Sequence, residues 1–207
     1  MRISAVYLKK VLIVSAFLLI SAGCSIKKVP PTDYYYISQK TPGITLSEAK
    51  GTMDSLRVTF TYPSRVSESS SIYYLDRNFR QQPYAYSRWY DTPDTMFEGK
   101  LIRALEESGI AESVTGGTTA ADTQMVLEIG ILEFVHDFSG EGASRGRVAV
   151  LVSLIRNRDS KTVCSRLFEE VEPAPSEDAK GGVAALNIAS DKVVKEIVEW
   201  LESCRSL

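Results

Sequence analysis

The fold is decided by the stretch Met125-Val126-Leu127-Glu128-Ile129-Gly130-Ile131-Leu132-Glu133-Phe134-Val135-His136-Asp137-Phe138 and by the two apolar segments that follow it, 146–156 and 162–171. β-branched and aromatic residues dominate all three segments, and such residues favour strands. The links between them are short and contain Gly, Asn, Asp and Ser, which are turn-forming residues. The sequence therefore predicts three long strands that are antiparallel neighbours.

Shorter strands and two helices complete the predicted layout. One helix is predicted to begin at Thr92-Pro93-Asp94, where Thr caps and Pro suits the first turn, and to end at Gly109. A long amphipathic helix is predicted near the C-terminus, with Ser176 as its cap. Further strands are predicted at 34–37, 56–62, 71–75 and 84–89. This order predicts an α+β fold, a two-layer sandwich in which two main helices pack on one face of a mostly antiparallel sheet.

The N-terminus has the pattern of a bacterial export signal. Three basic residues precede the apolar run 11–20, and the sequence Ile20-Ser21-Ala22-Gly23-Cys24 follows it, which resembles a lipobox. The apolar run is shorter than the ~20 residues that a membrane span needs. We therefore predict a signal peptide over 1–23, removed in the mature protein, and acylation of Cys24. An ordinary secretory signal and a short anchor helix are the alternatives.

The residues after the cleavage site predict where the mature protein resides. Residues 24–33 form a polar, basic tether, and 34–207 are long enough for a single periplasmic α+β domain. Ser25 stands where an Asp would resemble the inner-membrane retention signal of enterobacterial lipoproteins. We therefore expect a protein anchored by its lipid to the periplasmic face of the outer membrane.

Charge and cysteine content restrict the function further. Loss of the signal would take the formal net charge from -2 to about -5. A mildly acidic domain is a poor candidate for binding nucleic acid, which requires a clustered basic surface. Cys164 and Cys204 are a candidate disulfide in an oxidising periplasm, and two separately buried thiols are the alternative.

The sequence contains one motif that resembles a catalytic site. Gly142-Ala143-Ser144-Arg145-Gly146 matches G-x-S-x-G, but the segment that follows has strand character where a nucleophile elbow needs a helix. His136 precedes Ser144, whereas the triad order of these hydrolases places the histidine after the serine. We expect His136 to be an ordinary surface or edge residue. The sequence predicts no catalytic residue, no metal site and no cofactor, and so no enzyme.

The aromatic and basic segment 73–90 is the better functional candidate. Aromatic residues and arginine are enriched at protein interfaces. The alternative is that every second residue of each strand fills the core. The candidate interface residues are Arg77, Arg80, Tyr84, Tyr86, Arg88 and Trp89.

The same segment carries a family resemblance. The sequence 84–93, followed by a helix with Leu101 and Leu105, resembles the tyrosine, tryptophan and proline signature of the ABC-type transport auxiliary lipoproteins, which include PqiC-like proteins. The other parts follow in the order that this family shows. These are the lipobox, Tyr34 to Ile37, Leu56 and Val58, Ile72 to Tyr74, the long strand pair, and a last helix ending in Trp200-Leu201.

The resemblance implies a role in transport. Such lipoproteins are accessory to systems in which an MCE-domain protein and an ABC permease, or an equivalent membrane component, move phospholipid or other apolar compounds across the envelope. The resemblance implies a non-catalytic docking subunit, anchored to the outer membrane and forming a homo-oligomer. A periplasmic lipid-binding carrier and a structural envelope lipoprotein are the alternatives. A carrier would contain a large apolar cavity.

Overall fold

The computed structural model describes residues 29–44, 53–61, 64, 66–117 and 121–204. Within these residues, two α-helices pack with eight strands of one mixed sheet, and the predicted α+β class is confirmed. The helices are α1 (Pro93–Ser108) and α2 (Ala179–Cys204). The strands are β1 (Asp33–Tyr35), β2 (Leu56–Phe60), β3 (Ser71–Leu75), β4 (Gln81–Trp89), β5 (Val114–Thr115), β6 (Met125–Asp137), β7 (Arg145–Arg156) and β8 (Lys161–Pro173).

The three long strands form one antiparallel ribbon, in which β6 adjoins the shorter strands and β8 is the outer edge of the sheet. β6 pairs with β7 and β7 with β8, both antiparallel, along nearly their whole length. A single 3₁₀ turn, Asn157–Asp159, connects the last two, and Ser160 follows it in the left-handed conformation with φ 53°. The predicted antiparallel ribbon is therefore the scaffold on which the shorter strands are placed.

The sheet is more mixed than the predicted, mostly antiparallel one. β2 pairs in parallel with β5 and β6, β3 pairs in parallel with β6, and β1 pairs in parallel with β4. For β2 and β3 the reason is the position of α1, which lies in the chain between each of them and β6. A crossover of this kind brings the second strand back in the same direction as the first.

Local signals set the ends of α1. Pro93 occupies the first turn and Gly109 ends the helix with φ 67°, where its N–H donates to the carbonyl of Glu106. This left-handed conformation carries little strain in glycine, which has no Cβ. Both predicted ends of this helix are therefore found in the structure. The predicted cap bond is not, because the Thr92 hydroxyl lies 2.8 Å from the hydroxyl of Thr95 and bonds no backbone N–H.

The start of α2 differs from the prediction by two residues. Asp178, rather than Ser176, caps the helix, because its Oδ1 accepts the backbone N–H of Gly181 at 2.8 Å. The hydroxyl of Ser176 donates to the same oxygen at 2.7 Å. The carboxylate lies at the positive end of the helix dipole. The two hydrogen bonds hold the pKa of Asp178 below its usual range, and the bond from the Gly181 N–H has the largest effect.

β1 ends at Tyr35, two residues before the predicted end of the strand. Beyond it, Asn187 of α2 binds the backbone in place of a neighbouring strand. Its Nδ2 donates to the carbonyl of Tyr36 at 3.2 Å, and its Oδ1 accepts the N–H of Ser38 at 2.6 Å. The chain therefore leaves the sheet at this point and runs towards the helices.

The core fills the space between helices and sheet. Side chains of both helices and of the sheet form one apolar cluster, as a two-layer sandwich requires. Its largest fully buried apolar members include Trp89, Phe97, Phe134, Phe168, Leu101 and Leu105.

Candidate functional site

The turn between β3 and β4 carries two of the three arginines that the sequence predicts at an interface. Arg77 and Arg80 are exposed, and the carboxylate of Asp76 organises the turn between them. Asp76 accepts the backbone N–H groups of Asn78 at 2.8 Å and Arg80 at 2.9 Å, and the Arg80 guanidinium lies 2.7 Å from it. These hydrogen bonds hold the pKa of Asp76 below its usual range, and the bond from the Arg80 N–H has the largest effect.

Phe79 is the residue of this turn that the sequence analysis missed. It has a φ of 59°, which is uncommon outside glycine, and its side chain is 73% exposed. A large aromatic side chain held outwards by a bonded turn is the kind of group that anchors a protein interface. We define Arg77, Phe79 and Arg80 as the hairpin tip.

Trp89 does not belong to this surface. It is 1% exposed and its ring lies 5.5 Å from that of Phe134 in the core. The prediction that it contributes to an interface is corrected, and the alternative, that alternate strand residues fill the core, applies to this position. Burial on one face of the strand is what the period of two dictates.

Tyr86 is the exposed member of the predicted set on β4. Together with three tyrosines that were not among the candidate interface residues, it forms what we call the tyrosine face. Arg88 lies on the same side, but its guanidinium donates to the carbonyls of Ser87 and Tyr84 on its own strand. The tyrosine face consists of Tyr34, Tyr36, Tyr86 and Tyr90, which are 68%, 51%, 47% and 67% exposed.

Tyr84 is half-buried, and its hydroxyl is part of an internal network. The hydroxyl lies 2.7 Å from Nδ1 of His136, and Nε2 of that imidazole lies 2.8 Å from the hydroxyl of Ser144. His136 is fully buried and Ser144 is 2% exposed. The expectation that His136 is a surface or edge residue is therefore wrong. Both ring nitrogens are bonded, as buried polar groups require.

Burial determines the protonation of this network. It lowers the pKa of His136 to about 4, although the nearby carboxylates Asp178 and Asp137 act in the opposite direction. Burial also raises the pKa of the Tyr84 hydroxyl. The imidazole is therefore neutral at neutral pH, with one nitrogen as donor and the other as acceptor.

The first turn of α2 lies directly against the imidazole. A Cβ on Gly182 would lie 2.4 Å from Nδ1 of His136, so only glycine fits there. A Cβ on Gly146 would similarly lie 2.7 Å from the backbone nitrogen of Leu186. The glycines allow close packing of helix on sheet, which explains why Gly181-Gly182 stands at the start of a helix despite its low helix propensity.

The G-x-S-x-G segment brings a serine and a histidine together but gives no substrate access. Ser144 precedes β7, so a strand follows the serine where a nucleophile elbow requires a helix. Its side chain is enclosed, since Ser144 is 2% exposed and its hydroxyl is bonded to Nε2 of the buried His136. This geometry ties three strands and α2 together, and it gives no sign of the exposed nucleophile that the motif serves in hydrolases.

Lys100 is buried because it lies on the apolar side of α1, and the sequence analysis did not identify it. It is fully buried, and its ammonium donates to the carbonyls of Ser38 at 2.7 Å and Lys40 at 2.6 Å. The carboxylate of Asp191 on α2 lies 2.5 Å away. A buried charge is stable only when it is paired and hydrogen-bonded. This lysine therefore fastens the segment after β1 to both helices.

The two remaining cysteines are bridged. Cys164 on β8 and Cys204 at the end of α2 form a disulfide with a Cα–Cα distance of 6.3 Å and a sequence separation of 40. The bridge fastens the last turn of the helix to the sheet. Cys24 and the signal peptide 1–23 lie outside the described residues.

Within the described ranges, no group of three or more His, Cys, Asp or Glu side chains is arranged to hold a metal ion. In the same part of the chain, no helix has the length and apolar character that crossing a bilayer requires.

Comparison with known proteins identifies the family. Residues 47–198 match the family described as ABC-type transport auxiliary lipoprotein component. The chain belongs to this family. Auxiliary lipoproteins of this kind are components of transport systems, and the resemblance inferred from the tyrosine, tryptophan and proline pattern is thereby confirmed.

Solved structures and a curated relative extend the comparison. Protein XCC0632 from Xanthomonas campestris is 23% identical with a TM-score of 0.74, over 84% of this chain and 97% of that chain. Hypothetical protein CT253 from Chlamydia trachomatis is 10% identical with a TM-score of 0.50, over 74% and 97%. At such identities the likeness is one of fold alone. Uncharacterized protein bll6063 of Bradyrhizobium diazoefficiens is 25% identical over 114 residues, which span 54% of this auxiliary lipoprotein but only 30% of that relative.

Proposed function

We propose that this protein is the outer-membrane-anchored docking lipoprotein of an ABC/MCE-type transport system that moves phospholipid or other apolar compounds across the envelope. The match of residues 47–198 to the auxiliary lipoprotein family carries the proposal. The protein would act without catalysis, and its partners would be an MCE-domain protein and an ABC permease or equivalent membrane component. Several copies would assemble into a homo-oligomer around the partner.

The anchor is the first part of the proposal. Signal peptide 1–23 is removed, Cys24 carries the lipid, residues 24–33 are the tether and 34–207 the periplasmic domain. A cysteine with two or more acyl chains holds a protein stably at a membrane, whereas a single chain does so only marginally. Ser25 in place of Asp supports the outer membrane as the location.

The interior favours a docking subunit over a lipid carrier. A carrier would bind an acyl chain between the helices and the sheet, in a large apolar cavity. That space is occupied by the protein's own side chains, among them Trp89, Phe97 and Phe134, each no more than 1% exposed. An acyl chain would have to displace these side chains, which would cost the packing energy of the core.

The hairpin tip is the surface we propose for the transport partner. Phe79 supplies an exposed aromatic ring, and the two arginines supply charge on a turn that Asp76 already holds in shape. A pre-organised surface loses less conformational entropy on binding than a mobile one. Of the other predicted interface residues, Tyr84 is half-buried on the same hairpin, whereas Arg88 and Trp89 lie at the opposite end of β4 and are not part of this tip.

Affinity capture with tip variants tests the assignment. Arg77→Glu reverses a charge, and Phe79→Asn removes the ring while keeping a residue that tolerates positive φ. Both should lower recovery of the MCE-domain partner from cross-linked envelopes at least tenfold. Arg158→Glu, an exposed arginine in the turn before β8, is the matched control and should leave recovery unchanged. Equal recovery with all three variants, each folded by circular dichroism, would refute the hairpin tip as the docking surface.

A further inference from the structure

The four residues of the tyrosine face lie on one side of one sheet edge. β1 runs parallel to β4 with Tyr34 opposite Arg88, and residues at spacings of two along a strand share a side. Tyr86 and Tyr90 therefore lie on the side of Tyr34, and the rings of Tyr36 and Tyr90 are in contact with centroids 5.2 Å apart.

The fold itself does not use these rings. The opposite side of the same two strands supplies the core, with Trp89 1% and Ser87 8% exposed. The tyrosines of the face are about half to two-thirds exposed, and a contiguous exposed aromatic patch of this kind marks an interaction surface.

The length of the tether limits how far this surface can lie from the membrane. Tyr34 stands ten residues after Cys24, and ten residues of extended chain span at most about 35 Å. The acyl groups proposed on Cys24 would fix the start of this tether in the headgroup layer, so the edge strand cannot move far from the bilayer. Lys27 and Lys28 within the tether would be attracted to anionic headgroups and would shorten that distance.

The chemistry of tyrosine side chains suits contact with a membrane surface. A tyrosine ring is apolar and its hydroxyl is polar, and tyrosine is enriched at membrane–water interfaces for this reason. Asp33 and Asp91 flank the patch and Arg88 lies within it, so it has no strong positive charge. Contact would therefore depend on the rings and only weakly on the charge of the lipid.

We propose that the tyrosine face rests on the headgroup region of the membrane that holds the lipid anchor. This inference rests on the proposed acylation of Cys24. It also limits the orientation of the domain. β4 runs nine residues from Gln81, next to the hairpin tip, to Trp89, next to Tyr90, so at about 3.3 Å per residue the tip lies about 25 Å along the strand from its tyrosine end.

Site-specific labelling of the full lipidated protein tests this orientation. Cys24 is acylated under the proposal and the other two cysteines form a disulfide, so an introduced cysteine would be the one free thiol. Tyr34→Cys and Tyr86→Cys would each carry an environment-sensitive fluorophore such as NBD. Arg77→Cys on the hairpin tip and Thr162→Cys on β8 are the exposed controls.

The expected result is a rise in NBD emission of at least twofold at both tyrosine positions on reconstitution into phosphatidylethanolamine and phosphatidylglycerol vesicles, with quenching by spin-labelled lipid. The two controls should keep the emission they have in water. Unchanged emission at both tyrosine positions would overturn the inference while leaving partner capture, and so the docking role, intact. A rise that needs no vesicles and grows with protein concentration would overturn it in favour of a second copy of the chain. Mass spectrometry that finds Cys24 unacylated would overturn the anchor and this inference together.

Discussion

The Tyr84 hydroxyl and the imidazole Nδ1 of His136 lie 2.7 Å apart, although 52 positions separate the two residues in the chain. The bond joins β4 to the end of β6, and the Ser144 hydroxyl on the other ring nitrogen extends it to the start of β7. The network therefore connects the hairpin that carries the proposed docking tip to the antiparallel ribbon of β6, β7 and β8.

Removing the Tyr84 hydroxyl should destabilise the fold measurably. Tyr84→Phe leaves Nδ1 of the buried His136 without its partner, which should lower the free energy of unfolding by about 1–2 kcal/mol. Tyr86→Phe is the matched control, because this hydroxyl is on an exposed ring and its loss should have no measurable effect. Urea titrations of both variants provide the comparison, and equal stabilities would contradict the role of the network.

The stability of the protein should depend on pH through His136. The folded state keeps the imidazole neutral down to a pKa of about 4, whereas the unfolded chain protonates it near its ordinary value of 6.5. Between these values the unfolded state binds more protons, so the free energy of unfolding falls as the pH falls.

Titration of His136 should lower the free energy of unfolding by about 2 kcal/mol between pH 7.5 and pH 5. Urea unfolding at the two pH values measures it. His136→Gln should remove that share of the pH dependence, since glutamine does not titrate. If the variant and the natural protein lose stability in parallel over this range, His136 is not the responsible group.

Gly182 should not tolerate a methyl group. The Cβ of Gly182→Ala would lie 2.4 Å from the imidazole, so helix and sheet would have to separate, at a cost of about 1–3 kcal/mol. Helix propensity alone would predict stabilisation by up to about 1 kcal/mol, so the two effects differ in sign. Gly43→Ala, at a position with no atom within 4 Å of the added Cβ, should be near neutral. A stabilised Gly182→Ala protein in thermal unfolding would show that this close contact is wrong.

Lys100 should hold the segment after β1 against the helices. Lys100→Met leaves the carbonyls of Ser38 and Lys40 without their buried donor and should cost about 1–3 kcal/mol. Amide hydrogen exchange in residues 37–41 should accelerate at least tenfold. Lys195→Met breaks an exposed pair with Glu199 and should change neither quantity appreciably. Unchanged exchange in residues 37–41 would mean that other contacts hold the segment.

The disulfide should contribute to the stability of the folded domain. Replacing Cys164 and Cys204 by serine should lower the free energy of unfolding by about 2–4 kcal/mol, because the closed loop of 40 residues restricts the unfolded chain. A reductant should produce a similar loss in the natural protein and none in the double variant. A reductant effect that persists in the double variant would contradict the assignment.

The sequence predicted those parts of the fold that depend on local patterns. The long strands follow from continuous apolar runs, and the ends of α1 follow from Pro93 and Gly109, whose backbone preferences act at a single position. Parallel pairing of β2 with β6 could not be predicted in the same way, because it depends on the path of α1 rather than on either strand.

The candidate surfaces were predicted less completely, since burial at a given strand position depends on what packs against it. Trp89 and Tyr86 belong to one aromatic strand, and only the packing of Phe134 against Trp89 separates core from surface. The burial of His136 was missed because its partners, Tyr84 and Ser144, lie on other strands or links. For Lys100 a signal existed, since it lies between the buried apolar positions Phe97 and Leu101 of α1.

Affinity capture of the full lipidated protein from cross-linked envelopes, read by mass spectrometry, tests the docking function most directly. Co-recovery of an MCE-domain protein and an ABC permease, reduced by Arg77→Glu and unaffected by Arg158→Glu, is the result expected of a docking lipoprotein. Recovery of lipid with no protein partner would contradict the proposal and would favour a lipid carrier.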